Sequence, residues 1–286
     1  MAKARLRFRY ARWIIIFIVL GFITGAGYLI YKSADPYFLE TTYYQHRTDK
    51  VSDNVRIVHL TDLHNKEFGK DNATLLERVV SLKPDLIVIT GDMITMEIHN
   101  YEVAVSLCER LIDIAPTFYS YGNHEYGEII YAEGNHLISD LKGTGITLLN
   151  CESTTIDIKG NEIKIGGMCT DQAGFYAEDI QRFLNGFIDP DAFTLLLTHY
   201  PNIFEDLMKP FPVDIAFTGH AHGGQVRLPI IGGVFAPDQG IFPKWTEGFS
   251  MIDSSMVVIN RGLGNIYSIP RINNPAEIVV MDINWY

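Results

Sequence analysis

Val213-Asp214-Ile215-Ala216-Phe217-Thr218-Gly219-His220-Ala221-His222-Gly223-Gly224-Gln225 is the stretch from which the fold can be read. The apolar run 213–217 reads as a buried strand, which puts the two histidines on the loop leaving its end. In an extended segment residues two apart face the same way, so His220 and His222 can aim both rings at one point. The flanking glycines let the backbone turn tightly and leave room beside the rings. A lone His-x-His is weak evidence for a metal. Its meaning depends on what the other strand ends carry.

Outward from that loop, strands and helices alternate. Strands are expected at 55–60, 86–90, 117–120 and 193–198, with short ones near 146–149, 154–158 and 162–168 and two more at 256–260 and 277–283. Helical spacing runs over 72–82, through Val103, Leu107 and Leu111, over 129–141 and over 177–184. This is an α/β domain over 54–286 with more strands than one parallel sheet needs, which points to a two-sheet core with outer helices. Each apolar strand ends in a potential ligand: Asp62 and His64, Asp92, Asn123 with His124 and Glu125, His199, then His220 and His222. Singly each has an ordinary explanation. Asp62 can cap a turn, Gly91-Asp92 and Gly122-Asn123-His124 can be turns, and His199 can be a hydrogen-bonded core residue. Five coincidences at strand ends, where open α/β sheets place their ligands, make a stronger signal than any one of them. Two Asp, four His and one Asn offer oxygen and imidazole without thiolate, which suits Mn, Fe or Zn. Seven ligands are too many for one ion and right for two that share a carboxylate. Such a pair, about 3.5–4 Å apart, clamps both oxygens of an in-line displacement at phosphorus.

Asp-x-His, Gly-Asp, Gly-Asn-His-Glu, a lone His and Gly-His-x-His, in that order over roughly 55–283, resemble the calcineurin-like metallophosphoesterases. The resemblance implies a four-layer fold, a two-sheet β-sandwich flanked by helices, and a metal-dependent phosphoric ester or pyrophosphate hydrolase. It implies that Asp62, His64 and His222 bind one divalent ion, that Asn123, His199 and His220 bind the other, and that Asp92 bridges them. His124 would be the catalytic residue, hydrogen-bonding the phosphoryl oxygens or protonating the leaving group. Asp62-Leu63-His64-Asn65, Gly223-Gly224-Gln225 and Asn260-Arg261-Gly262-Leu263-Gly264 are similar to the bacterial membrane-anchored branch, which includes UDP-diacylglucosamine pyrophosphatases. Glu125 is expected to support a ligand and His59 to lie in the core. Gln225, Arg227 and Arg261 stand near the expected cleft.

The amino end is of another kind. Residues 1–12 hold five basic residues and no acidic one, and leave the rest with 18 basic against 34 acidic, a formal charge of −16. So acidic a body is a poor partner for nucleic acid. Trp13 to Tyr31 carries no charge, and as a helix it spans roughly 28 Å, enough for the hydrocarbon core. It reads as an uncleaved single-pass membrane helix, with a cleaved signal peptide as the competing reading. The basic flank keeps the amino end in the cytoplasm, so the connector 32–53 and the catalytic domain are expected outside. The three cysteines, Cys108, Cys151 and Cys169, form no disulfide framework and are expected to be small buried apolar residues. The loop 223–248 is too long for a mere connection. Its Ile230, Ile231, Val234, Phe235, Ile241, Phe242 and Trp245 either pack over the sandwich or meet lipid. The composite expectation is a membrane-anchored dimetal enzyme that cleaves a lipid-linked or cell-envelope phosphate compound. Its rivals are a non-catalytic metal-binding scaffold on the same fold and a phosphodiesterase for a soluble nucleotide.

Overall fold

The computed structural model describes residues 2–34, 38–132, 136–169, 177–265 and 270–286. A long helix α1 (Ala2–Ala34) leads into strand β1 (Leu39–Thr48) and then β2 (Val55–Leu60). Helices and strands then alternate: α2 (Ala73–Leu82), β3 (Leu86–Ile89), α3 (Glu102–Leu111), β4 (Thr117–Ser120), α4 (Asn123–Tyr131), α5 (Leu137–Gly143) and β5 (Thr147–Leu149). A hairpin of β6 (Glu152–Ile158) and β7 (Asn161–Gly167) opens the second half, followed by α6 (Ala177–Phe187), β8 (Phe193–Leu197) and β9 (Ile215–Thr218). Two small hairpins occupy the long loop, β10 (Arg227–Leu228) with β11 (Gly232–Gly233) and β12 (Phe235–Ala236) with β13 (Gly240–Ile241). The last strands are β14 (Gly248–Ile252), β15 (Ser255–Ile259) and β16 (Ala276–Trp285).

The strands build two six-stranded mixed sheets, ordered β1-β16-β2-β3-β4-β5 and β14-β15-β9-β8-β7-β6. Strands β2 to β5 run parallel in the first sheet, and β7, β8, β9 and β15 run parallel in the second. The period of two decides which residues face which layer. Val55, Ile57, Leu86, Val88, Leu195, Leu197, Ile215 and Phe217 fill one cluster, between the sheets. Val58, Leu60, Ile87, Ile89, Leu196 and Ala216 point the other way and join the second, larger cluster, with residues of the helices such as Leu75, Val79, Leu107 and Leu184. Unbroken apolar strands are what burial on both faces requires.

Several expectations need correction. The connector 32–53 contains β1, ten residues long and paired in parallel with β16, so that part of it belongs to the first sheet. Its alternating intermediate and exposed residues mark an edge strand, a weaker pattern than a central strand shows. The helix expected over 129–141 is two helices, α4 and α5; residues 133–135 lie outside the described part. Helix α4 starts six residues early because the Asp92 carboxylate, from another strand end, accepts the amide of His124 in its first turn.

Among the described residues no helix is long and apolar enough to cross a membrane. The expected span 13–31 lies within α1, and part of its side chains falls outside the described ones. Side chains are described without a break over 12–25 only, about 21 Å of helix against about 30 Å of hydrocarbon. Within that stretch Trp13, Ile14, Ile15, Phe17, Ile18 and Phe22 are all exposed.

Cys108 is buried and free, as expected. Cys151 and Cys169 instead form a disulfide, with Cα atoms 4.8 Å apart across 18 residues of sequence. The bridge joins the start of β6 to the segment just past β7, and so closes the hairpin at its open end. Closing a loop of that length is worth about 3 kcal/mol through the unfolded chain. Urea unfolding of Cys151→Ser is therefore expected to show a loss of about that size, and a reductant should remove the difference between variant and parent.

Candidate metal centre

The ligand-bearing strand ends converge where the carboxyl ends of the two sheets meet. Asp62 and His64 follow β2, Asp92 follows β3, and Asn123 and His124 open α4 after β4. His199 follows β8, and His220 and His222 follow β9. Seven of the eight sequence-predicted residues are brought together there, and Asn123 stands next to one of them, His124, at the start of α4. They fall into three overlapping groups: Asp62 with His64 and His222, His64 with Asp92 and His124, and Asp92 with His199 and His220. Nε2 of His222 lies 3.1 Å from Asp62 Oδ1, and Nε2 of His199 lies 3.1 Å from Asp92 Oδ2. Nε2 of His64 stands 3.3 Å from Nε2 of His222, and Nδ1 of His220 stands 3.2 Å from Nε2 of His199.

The two histidines of the opening stretch do not share a target. His220 presents Nδ1 to His199, whereas His222 presents Nε2 to His64 and Asp62. The cause lies in the backbone, which is not extended: His220 has φ +65° and His222 has φ +47°. Asp62, His64 and Asp92 are left-handed as well, at +53°, +48° and +53°. Such conformations cost of order 1–3 kcal/mol each for a residue with a side chain, and they gather where a site over-determines them. They turn the chain at once where a strand ends, so each short side chain reaches inward.

Asp92 is the hub. Its Oδ1 accepts the backbone N–H of His124 at 2.9 Å, which satisfies an amide of the first turn of α4 and sets where that helix begins. Its Oδ2 is buried and faces only ring nitrogens, Nε2 of His199 at 3.1 Å and Nε2 of His64 at 3.7 Å, while Oδ1 of Asn123 is buried with no hydrogen-bond partner. Asp62 accepts the backbone N–H of His220 at 3.1 Å on both oxygens, which ties the first sheet's loop to the second sheet's. Gly122 and Gly219 make room: a Cβ on Gly122 would fall on the Asp92 carboxylate, and one on Gly219 would fall on Thr61 and Asp62.

Protonation follows from the same contacts. Burial favours the neutral carboxyl of Asp62, but the imidazoles of His222 and His199 outweigh it and hold the group well below the usual carboxylate range. Asp92 is likewise held well below that range by His199, His124 and His64, against its burial. Burial lowers His64 to about 3 despite Asp92. His199 behaves oppositely: burial would lower it, yet Asp92 and Asp62 push it up to about 10. Nδ1–H of His199 donates to the carbonyl of Thr90 at 2.7 Å, which leaves Nε2 as the atom facing the centre. Nδ1 of His124 accepts the N–H of Met96 at 3.1 Å, so the neutral ring carries its proton on Nε2. That nitrogen lies 4.0 Å from Asp92 Oδ2, at the edge of the cluster.

Two divalent ions fit this donor set. Seven carboxylate and imidazole side chains converge, the amide oxygen of neighbouring Asn123 is buried without a partner, and a buried carboxylate pair needs positive charge. Residues 55–224 match the calcineurin-like phosphoesterase family. The chain belongs to that family. It is therefore a metal-dependent phosphoester hydrolase on an α/β fold of two mixed sheets, in a family that normally uses two divalent metals. Among curated relatives, Phosphodiesterase YaeI of Escherichia coli (strain K12) is 29% identical over 91% of this chain and 93% of its own. The uncharacterized metallophosphoesterase YkuE of Bacillus subtilis (strain 168) is 28% identical over 84% of each. The UDP-2,3-diacylglucosamine pyrophosphatase LpxG of Chlamydia muridarum (strain MoPn / Nigg) is 25% identical over 79% of this chain and 83% of its own.

The neighbouring residues divide. His59 is a core residue, its Nε2 bonded to Thr90 Oγ1 at 2.7 Å. Arg261 pairs with Glu277 and Glu40, and Arg227 pairs with Glu247, so both hold loops together. Arg271, which the sequence reading missed, is buried and donates to the carbonyls of Arg261 and Gly264 beside His222. In the long loop Trp245 is 5% exposed and its Nε1–H donates to Glu205, so it belongs to the packing and not to an apolar surface. Ile230, Ile231, Ile241 and Phe242 are exposed.

Glu125 carries more than a supporting part. Its carboxylate accepts the backbone N–H groups of Asp92, Met93 and Gly122 and the hydroxyl of Tyr119, all within 2.9 Å. Glu125→Ala would strand those buried donors, and a loss of at least about 3 kcal/mol is expected. Glu125→Gln should lose less, because its amide oxygen still accepts. Urea unfolding of the metal-free protein measures both.

Proposed function

We propose that the protein is a membrane-tethered dimetal phosphoesterase that hydrolyses a phosphoester or pyrophosphate bond of a lipid-linked or cell-envelope compound. In this reading Asp62, His64 and His222 hold one ion, Asn123, His199 and His220 hold the other, and Asp92 reaches both. The observation that carries it is the buried Oδ2 of Asp92, which stands between the ring nitrogens of His199 at 3.1 Å and His64 at 3.7 Å, one from each histidine group. Manganese, iron or zinc suits the donors. A bound pair polarises a phosphoryl oxygen and activates the attacking water. The chain's own contribution is to fix the ligands and to present Nε2–H of His124 where a phosphoryl or leaving-group oxygen would lie.

The placement outside the cytoplasm has two independent supports. The five basic residues before the apolar stretch favour a cytoplasmic amino end. The Cys151–Cys169 disulfide suits an oxidising compartment. A lipid-linked substrate is supported by the name of the LpxG relative and by the exposed Ile230, Ile231, Ile241 and Phe242 on the loop that follows His222. The YaeI relative is named a phosphodiesterase, which keeps a water-soluble diester as the second reading.

The ligand and acid roles separate in two variants. Asp92→Ala is expected to lose both ions, whereas His124→Ala should keep both and lose about 10²–10⁴-fold in kcat. Metal content by mass spectrometry and steady-state kinetics decide it; two retained ions in Asp92→Ala would end the bridging role.

The substrate class needs its own assay. The full chain in detergent, loaded with Mn, is expected to cleave acylated phosphate and pyrophosphate compounds faster than their deacylated forms. Equal rates on both forms would favour the soluble diester.

A further inference from the structure

Asp238 sits at the turn of the β12–β13 hairpin, among the three residues that join Ala236 to Gly240. An aspartate in such a turn is ordinarily there for its backbone, and φ +60° is a conformation that Asp tolerates well. What sets this one apart is where its carboxylate goes. Oδ2 of Asp238 lies 2.8 Å from Nε2 of His220, a ring only 3% exposed. The opposite nitrogen of the same ring, Nδ1, faces His199 in the metal centre.

The hairpin is seated so that this contact is held. Val234 N–H donates to the carbonyl of Gly224 at 3.2 Å, on the loop that carries His222. Gln239, next to Asp238, bonds the backbone of Trp245 at both ends of its amide, each at 2.9 Å. Trp245 is itself buried. The turn is therefore braced from both sides, and the carboxylate is delivered by a fixed piece of backbone.

We propose that Asp238 is a positioning residue for the second metal site, acting through His220. A carboxylate can only accept, so it fixes the proton of His220 on Nε2, leaves the Nδ1 lone pair for an ion and makes it a stronger donor. The inference rests on the reading of His220 as a ligand. Under it, the long loop does more than cover the sandwich, because its second hairpin holds one ligand of the set from outside.

The test is metal binding by the full chain in detergent, with Mn titrated calorimetrically and Co absorption as the spectroscopic readout. Wild type should bind two ions. Asp238→Ala should weaken one of them 10–100-fold, leave the other unchanged and shift the Co spectrum of a single site, with the melting temperature of the metal-free protein unaltered. Asp238→Asn should fall between, since its amide oxygen accepts the same proton without the charge. In a His220→Ala background, Asp238→Ala should add no further loss. Two unweakened ions in Asp238→Ala overturn the proposal and leave the dimetal reading intact. Equal weakening of both ions together with a lower metal-free melting temperature overturns it in favour of loop packing. A wild type that binds fewer than two ions, or a His220→Ala variant that binds both as tightly, removes the dimetal reading and the proposal with it.

Discussion

Two ionised carboxylates buried side by side are the constraint on which this structure depends. Taking each out of water costs several kcal/mol unless donors and positive charge replace the solvent. Asp62 and Asp92 are both fully buried, and backbone amides answer three of their four oxygens. The amide of His220 serves Asp62, and the first turn of α4 serves Asp92. Without an ion, the positive charge nearest Asp92 is the protonated His199, raised to about 10 by the same two carboxylates. Divalent ions would answer the same demand. Stability and proton balance are one property at this centre.

The same demand explains the irregular backbone around it. A carboxylate or imidazole on a short side chain reaches the centre only if the chain turns immediately after the strand. Left-handed residues supply the turn at Asp62, His64, Asp92, His220 and His222, and glycines clear the space at 122 and 219. Strain of this kind is tolerated because the two sheets on either side are packed on both faces and do not yield. Rigidity in the sandwich and distortion at its rim go together.

The sequence made the clustered Asp and His side chains legible because metal chemistry admits few residue types and their spacing is tied to strand ends. The central strands were legible too, since burial on both faces leaves an unbroken apolar run, as in Leu86–Ile89. Other features left weaker traces. Strand β1 is an edge whose partner lies more than 220 residues away, and nothing local announces such a pairing. An extended reading of His220-Ala221-His222 missed the left-handed turns, which depend on the tertiary site and not on residue type. The Cys151–Cys169 bridge was hidden by an odd count, and Asp238 looks like any turn aspartate. Trp245 was left open between packing and lipid because hydrophobicity in a loop does not say which ring is tucked under it.

The parallel pairing of β1 with β16 has a consequence in time. Strand β16 lies between β1 and β2, hydrogen-bonded to both, yet it is made some 230 residues after β1 ends. At ordinary rates of synthesis, about 5–20 residues per second, β1 waits roughly 10–45 s for its neighbour. Through that interval a ten-residue strand stands with both edges open, the situation in which chains pair wrongly with one another. Glu40, His46 and Arg47 lie along it, and polar or charged side chains of this kind discourage such encounters. The first sheet is therefore completed from its middle at the last moment, so the nascent chain depends on the good behaviour of an unfinished edge until almost all of this sequence has been made.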